Sequence, residues 1–133
     1  MNTSVNSIGT GGFEFASLSA ANNYRAAILN DFRAFLRGNV IEVGAGIGQI
    51  TADLYKSPEI RNLTSIEPGE SFCSQIRDRF PDLDLVQGTI SDLRTKRDWN
   101  AILSINVLEH IETDERELAI YHGLLRKIGR AHV

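Results

Sequence analysis

The chain has 133 residues, 42% hydrophobic and 23% charged, with a formal net charge of −3. That length suits one domain with a buried core, and the composition is that of an ordinary globular protein. Nothing in the charge balance suggests a nucleic-acid footprint, which needs clustered positive charge, and a single cysteine, Cys73, excludes an internal disulfide or a cysteine-held zinc.

Residues 1–16 are rich in Asn, Ser, Thr and Gly around Gly9-Thr10-Gly11-Gly12 and read as a flexible arm. Their start lacks the basic region and apolar run of a signal peptide, and no later stretch is long enough to span a bilayer, so a cytoplasmic location is expected. The domain proper then occupies residues 17–133. Residues 19–36 read as a helix, because Tyr24, Ala27, Ile28, Phe32, Phe35 and Leu36 recur at steps of three and four. Gly38 and Asn39 end it.

Strands and helices then alternate. Strand 39–43 runs into Gly44-Ala45-Gly46-Ile47-Gly48, followed by helix 47–56. Strand 63–67 ends on Glu67-Pro68, and helix 70–79 carries Cys73 as a small apolar filler. Strand 83–87 leads through Gly88-Thr89-Ile90 to a short helix near 91–95, and Arg94-Thr95-Lys96-Arg97 reads as a solvated loop. Strand 100–105 leads into Asn106-Val107-Leu108-Glu109-His110-Ile111, then helix 113–127 and strand 130–133. Pro58 and Pro81 fall after helices that proline cannot continue. This alternation predicts an α/β, Rossmann-like parallel sheet with helices on both faces. The nearly all-apolar strands agree, since both faces of such a sheet are covered.

The glycine loop carries the chemistry. Glycine tolerates unusual backbone angles and lets the chain approach a ligand closely. A dinucleotide fingerprint, G-x-G-x-x-G, would need its third glycine at position 49, where this chain has Gln49. The pattern here is Glu42-x-Gly44-x-Gly46-x-Gly48, which resembles motif I of the class I S-adenosylmethionine-dependent methyltransferases. Further features at family spacing extend the resemblance over roughly residues 17–133. Glu67 lies about 20 residues past the turn, where a Rossmann unit places its ribose-binding acid. Asn106 to Ile111 is similar to the segment after the fourth strand in bacterial members. Leu125-Arg126-Lys127-Ile128-Gly129-Arg130 is similar to the L-K-P-G-G-R turn before their fifth strand.

The resemblance implies an enzyme that takes S-adenosylmethionine as cofactor and methylates an acceptor, expected to be a small molecule. It places Gly44, Ala45, Gly46 and Gly48 around the cofactor, with the charge of Glu42 near its cationic end and acting through the loop backbone or water. Glu67 accepts from the ribose hydroxyls, followed by Pro68. Thr89 and Ile90 fall at the adenine end, where many relatives have aspartate in place of Thr89. Asp92 either takes that aspartate's role or lies in the first turn of a helix capped by Ser91. Asn106 presents its carbonyl to the cofactor's ammonium. Tyr24 either borders the pocket or packs in a core. His110 is the candidate catalytic residue, a proton acceptor for the methyl acceptor; alternatively it fixes its loop. Some relatives hold a metal with E-x-x-E-H, but Asn106 stands in place of the first Glu, so no metal is expected. Two rival classes remain: a non-catalytic cofactor-binding module, and a nicotinamide-binding domain, against which Gln49 argues. Relatives continue to seven strands with a closing antiparallel hairpin. The end at Val133 leads to the expectation of a domain truncated after its fifth strand, with the edge at residues 130–133 open to self-association.

Overall fold

An apolar run without alternation is satisfied by a strand covered on both faces, and Gly38–Val43 (β1) is buried from Val40 onward. The computed structural model describes the backbone of residues 10–132 and the side chains of residues 20–125. In it β1 is the middle strand of five. Ile60–Glu67 (β2) and Asp84–Gln87 (β3) lie to one side, Trp99–Ser104 (β4) and Leu125–His132 (β5) to the other. The order is β3-β2-β1-β4-β5, and every neighbouring pair is parallel.

The chain divides into two units after Phe32. In the first, Thr10–Phe32 forms one 23-residue helix (α1). In the second, Gln49–Tyr55 (α2) joins β1 to β2 and Glu70–Arg79 (α3) joins β2 to β3. A single 3₁₀ turn, Ile90–Asp92, lies between β3 and β4, and Asp114–Leu124 (α4) joins β4 to β5. Right-handed crossovers place α2 and α3 on one face and the β3–β4 link and α4 on the other. The expected Rossmann-like fold is therefore present. Its core gathers Ile41, Val43, Ile66, Ile90, Trp99, Ile102 and Tyr121.

Three element boundaries differ from expectation. The first helix begins at Thr10 and ends at Phe32 rather than spanning 19–36. Gly11 and Gly12 fall in its first turn, whose N–H groups have no intrahelical partner in any case. The rest of the expected arm, residues 1–9, lies outside the described residues. Residues 33–36 are good helix formers, yet the chain turns there to enter the sheet: the Gly38 N–H, at φ +73°, donates to the Glu59 carbonyl at 2.8 Å. Pairing with β1 also starts β2 at Ile60, before the apolar run begins at Leu63.

The third difference is at β5. The helix stops at Leu124 and the strand starts at Leu125, where a helix to 127 and a strand from 130 were expected. The register passes from Trp99↔Leu125 to Ala101↔Arg130, so β5 advances five residues while β4 advances two. Regular pairing therefore resumes at Arg130, the expected strand start. The intervening segment lacks the proline that would impose a sharp turn in the similar L-K-P-G-G-R pattern, and it remains extended.

Candidate functional site

In this strand order the chain leaves β1 toward β2 and later returns on its other side as β4. Loops after β1 and β4 diverge, leaving a crevice beyond the C-terminal ends of the strands. A cavity of about 730 Å³ lies there, within the usual range for a small-molecule site. Gly44 and Gly46 line it after β1, Glu67 and Pro68 after β2, Thr89 and Ile90 after β3, and Asn106 and His110 after β4. Those eight expected site residues are thus brought together.

The two glycines serve different ends. Both adopt positive φ, +80° at Gly44 and +57° at Gly46. A β-carbon on Gly44 would overlap Cγ2 of Val107, so this glycine permits the loops after β1 and β4 to touch. A β-carbon on Gly46 would meet nothing within 4 Å. Here the open space belongs to the cavity. The N–H groups of Gly44 and Ala45 both donate to the Ile66 carbonyl, at 2.9 and 3.1 Å, which ties the loop to β2. Ala45 and Gly48 are buried behind the loop and do not line the cavity.

Glu67 is the hinge pin of the site. It is 6% exposed. Its Oε2 accepts from the Gly46 N–H at 2.8 Å and its Oε1 from the Gly69 N–H at 3.1 Å. Each carboxylate oxygen has a second lone pair and can also accept from a ligand hydroxyl.

Glu42 is turned into the interior between β1, α2 and β2. It is 3% exposed, absent from the cavity wall, and its Oε2 accepts from the hydroxyls of Thr51 and Ser65, both at 2.7 Å. It braces β1 against α2 and β2 behind the glycine loop. Burial pushes its carboxyl above the ordinary glutamate range, the two hydroxyls pull the other way, and the charge of Glu67 pushes up again. A carboxyl raised on folding contributes stability that is present below its unfolded pKa and lost as pH rises through the folded one. Glu42→Gln keeps a carbonyl acceptor for both hydroxyls and cannot ionise. Its stability relative to wild type should therefore rise from pH 4 to pH 8, read from melting temperatures across that range. A flat difference would show that the buried carboxylate carries no ionisation penalty.

Asp92 caps its turn. Its Oδ2 accepts from the Thr89 N–H at 2.8 Å and the Thr89 hydroxyl at 3.2 Å, closing a capping box around Ile90–Asp92. Those bonds, the backbone one first, hold its carboxyl below the usual aspartate range. It is exposed and does not line the cavity. Of the two readings left open by sequence, the geometry shows a cap, but one inside the turn rather than one provided by Ser91.

Asn106 adopts φ +56° on the cavity wall. Asparagine is among the few side chains that tolerate this left-handed region. His110 is on the wall with its side chain 78% exposed, and its Nε2 lies 3.9 Å from Glu109 Oε1. Its backbone N–H donates to the Val107 carbonyl at 3.0 Å, so the backbone rather than the imidazole shapes this turn. Tyr24 is on α1, in the other unit, and is 60% exposed. Cys73 is fully buried, and its thiol donates to the Glu67 carbonyl at 3.2 Å. Among the described residues no group of three or more His, Cys, Asp or Glu side chains could hold a metal.

Sequence reasoning missed part of the wall. Phe72, on α3, borders it, and so do Thr113, Arg116, Glu117 and Ile120 along α4. The last four recur at steps of three, one and three, the spacing of a single helix face. That was a readable signal on a helix given no role.

A doubly wound domain with a glycine loop and a strand-end acid at its switch point defines a class of nucleotide-type binding folds. A family model for the methyltransferase domain matches residues 40–129, and the chain belongs to that family. No curated protein matches it in sequence. Among solved structures, Streptomyces venezuelae DesVI is similar at a TM-score of 0.64 and 22% identity, over 88% of this chain and 52% of DesVI. DhpI in its SAH complex is similar at 0.69 and 20% identity, over 90% of this chain and 59% of DhpI. An S-adenosylmethionine-dependent methyltransferase from Clostridium acetobutylicum is similar at 0.65 and 16% identity, over 79% of this chain and 46% of that protein. The likeness is one of fold, and the chain spans between 46% and 59% of the length of these proteins. No described helix is long and apolar enough to cross a membrane.

Proposed function

We propose that this domain binds S-adenosylmethionine in the cavity at the β1/β4 switch point and methylates a small-molecule acceptor. The observation that carries the reading is Glu67: a buried carboxylate, clamped to the Gly46 N–H, beside the open space where a β-carbon would otherwise intrude. This combination fits a ribose, whose paired hydroxyls a carboxylate accepts from bidentately. When bound, S-adenosylmethionine supplies a methyl group already activated on a sulfonium. The residues of the chain then need only bind, orient and exclude water. Glu67 holds the ribose, Thr89 and Ile90 border the adenine, and Asn106 faces the amino-acid tail. Phe72, Ile111 and Ile120 supply apolar wall. His110 is assigned the proton that the acceptor loses.

Calorimetry tests this with S-adenosylhomocysteine, the demethylated product. It should bind, and NAD should not. Glu67→Ala should weaken binding by about 1–3 kcal/mol, the range for losing a hydrogen bond to a charged group. His110→Ala should leave the affinity near wild type, because the one polar contact of the imidazole among the described residues is with Glu109, not with Glu67 or the glycine loop. Tight NAD binding, or an unchanged affinity in Glu67→Ala with the fold intact, would remove the cofactor assignment.

A further inference from the structure

Arg116 is the one permanently charged cation among the described residues that line the cavity. It is exposed, and it forms no ion pair with any carboxylate among the described residues. The acidic residues nearest in sequence do not claim it. Asp114 and Glu115 are off the cavity wall, where Asp114 Oδ1 accepts from the Glu115 N–H at 2.8 Å. Glu117 does line the wall but is within hydrogen-bonding reach of the buried Tyr121 hydroxyl behind it. A guanidinium that lines a cavity, with no hydrogen bond or ion pair among the described residues, is suited to a carboxylate or phosphate oxygen pair.

Its neighbours sharpen the inference. Thr113 lies one helical turn before Arg116, at the N-cap of α4 with no side-chain cap hydrogen bond, and it also borders the cavity. His110 is three residues earlier on the same wall. A proton acceptor, a hydroxyl and a guanidinium thus follow one another along residues 110–116. The ribose-binding carboxylate and the glycine loop come instead from β1 and β2.

We propose that the methyl acceptor carries an oxyanion, a carboxylate or a phosphoryl-type group, which Arg116 and Thr113 hold beside His110. This rests on the cofactor reading above for the identity of the rest of the cavity. It is a statement about charge: an acceptor bearing the anion binds here, and its neutral analogue does not.

The test uses the full chain saturated with S-adenosylhomocysteine in phosphate-free buffer, with inorganic phosphate as probe and backbone amide NMR as readout. Phosphate should produce saturable shifts at Thr113, Arg116 and Glu117. Arg116→Gln, an exposed helix substitution that the fold tolerates, should weaken phosphate at least tenfold, and Arg116→Lys should recover part of the loss. S-adenosylhomocysteine affinity in Arg116→Gln should stay within threefold of wild type. Shifts that do not saturate, or an unchanged phosphate affinity in the variant, would overturn the proposal. So would a tenfold loss of S-adenosylhomocysteine affinity, which would assign Arg116 to the carboxylate of the cofactor. If S-adenosylhomocysteine does not bind wild type at all, the cofactor reading fails. Phosphate titrated without it still decides whether Arg116 is an oxyanion site.

Discussion

Gly44→Ala should destabilise the domain by about 2–5 kcal/mol, while Gly46→Ala, two residues on, should cost only about 1–2 kcal/mol. Both glycines sit at positive φ, +80° and +57°, so each alanine meets the same left-handed penalty. The difference is what lies in front of the new β-carbon. At Gly44 it is Val107 Cγ2, in a contact that must be relieved by moving the loop after β4. At Gly46 it is open cavity. Overpacking of this kind typically costs ~1–3 kcal/mol on top of backbone strain. Denaturant unfolding of both variants, with Val107→Ala added to Gly44→Ala, separates the terms. The double variant should recover the packing part and leave a residual close to that of Gly46→Ala. Equal losses at the two glycines, or no recovery in the double variant, would mean that the loops do not meet as described. For cofactor binding the order should reverse in kind: Gly46→Ala leaves a stable protein whose cavity is partly filled.

The parts legible in sequence were those whose chemistry is local. Gly44 and Gly46 announce themselves because a strand, a turn and a helix follow one another in a few residues. Glu67 and Asn106 could be placed because one ends β2 and the other closely follows β4, and parallel strands end on the same side of a sheet. Glu42 was legible as an acid in the motif but not in its direction. Whether its carboxyl faces the ligand or the core depends on Thr51 and Ser65, which reach it from α2 and β2. The role of Asp92 was undecided for a similar reason, since the cap depends on how the chain turns after Gly88. The α4 wall was hidden because it enters the site only through a crossover that returns the chain over the sheet. The start of β5 was misplaced because helix periodicity ran on past the point where pairing with Trp99 takes over.

Trp99→Ala should cost about 3–5 kcal/mol, the range for deleting a buried aromatic side chain. Against a total of roughly 5–15 kcal/mol for a domain, this leaves little margin. Trp99 opens β4, is 1% exposed, and packs in the cluster that includes Ile41, Ile102 and Tyr121. Its position joins the sheet to the helix that carries Arg116 and Glu117, so loosening it should also soften the α4 wall of the cavity. The indole has a second property. Its Nε1 is buried with no hydrogen-bond partner among the described residues, and a buried donor left unpaired typically costs ~1–3 kcal/mol. Arg97 lies over the ring at 5.4 Å from the centroid, inside the limit of about 6 Å within which such a cation is attracted to the π face. Trp99→Phe keeps an aromatic face for Arg97 and removes the unpaired donor, while giving up part of the buried area. The two changes oppose one another, so Trp99→Phe should lose clearly less than Trp99→Ala, about 2 kcal/mol or less. Urea midpoints for wild type, Trp99→Phe and Trp99→Ala decide it: a small shift for the first variant and a steep drop for the second. If Trp99→Phe loses as much as Trp99→Ala, the indole N–H has a partner in solution, and the cost of an unpaired donor is absent.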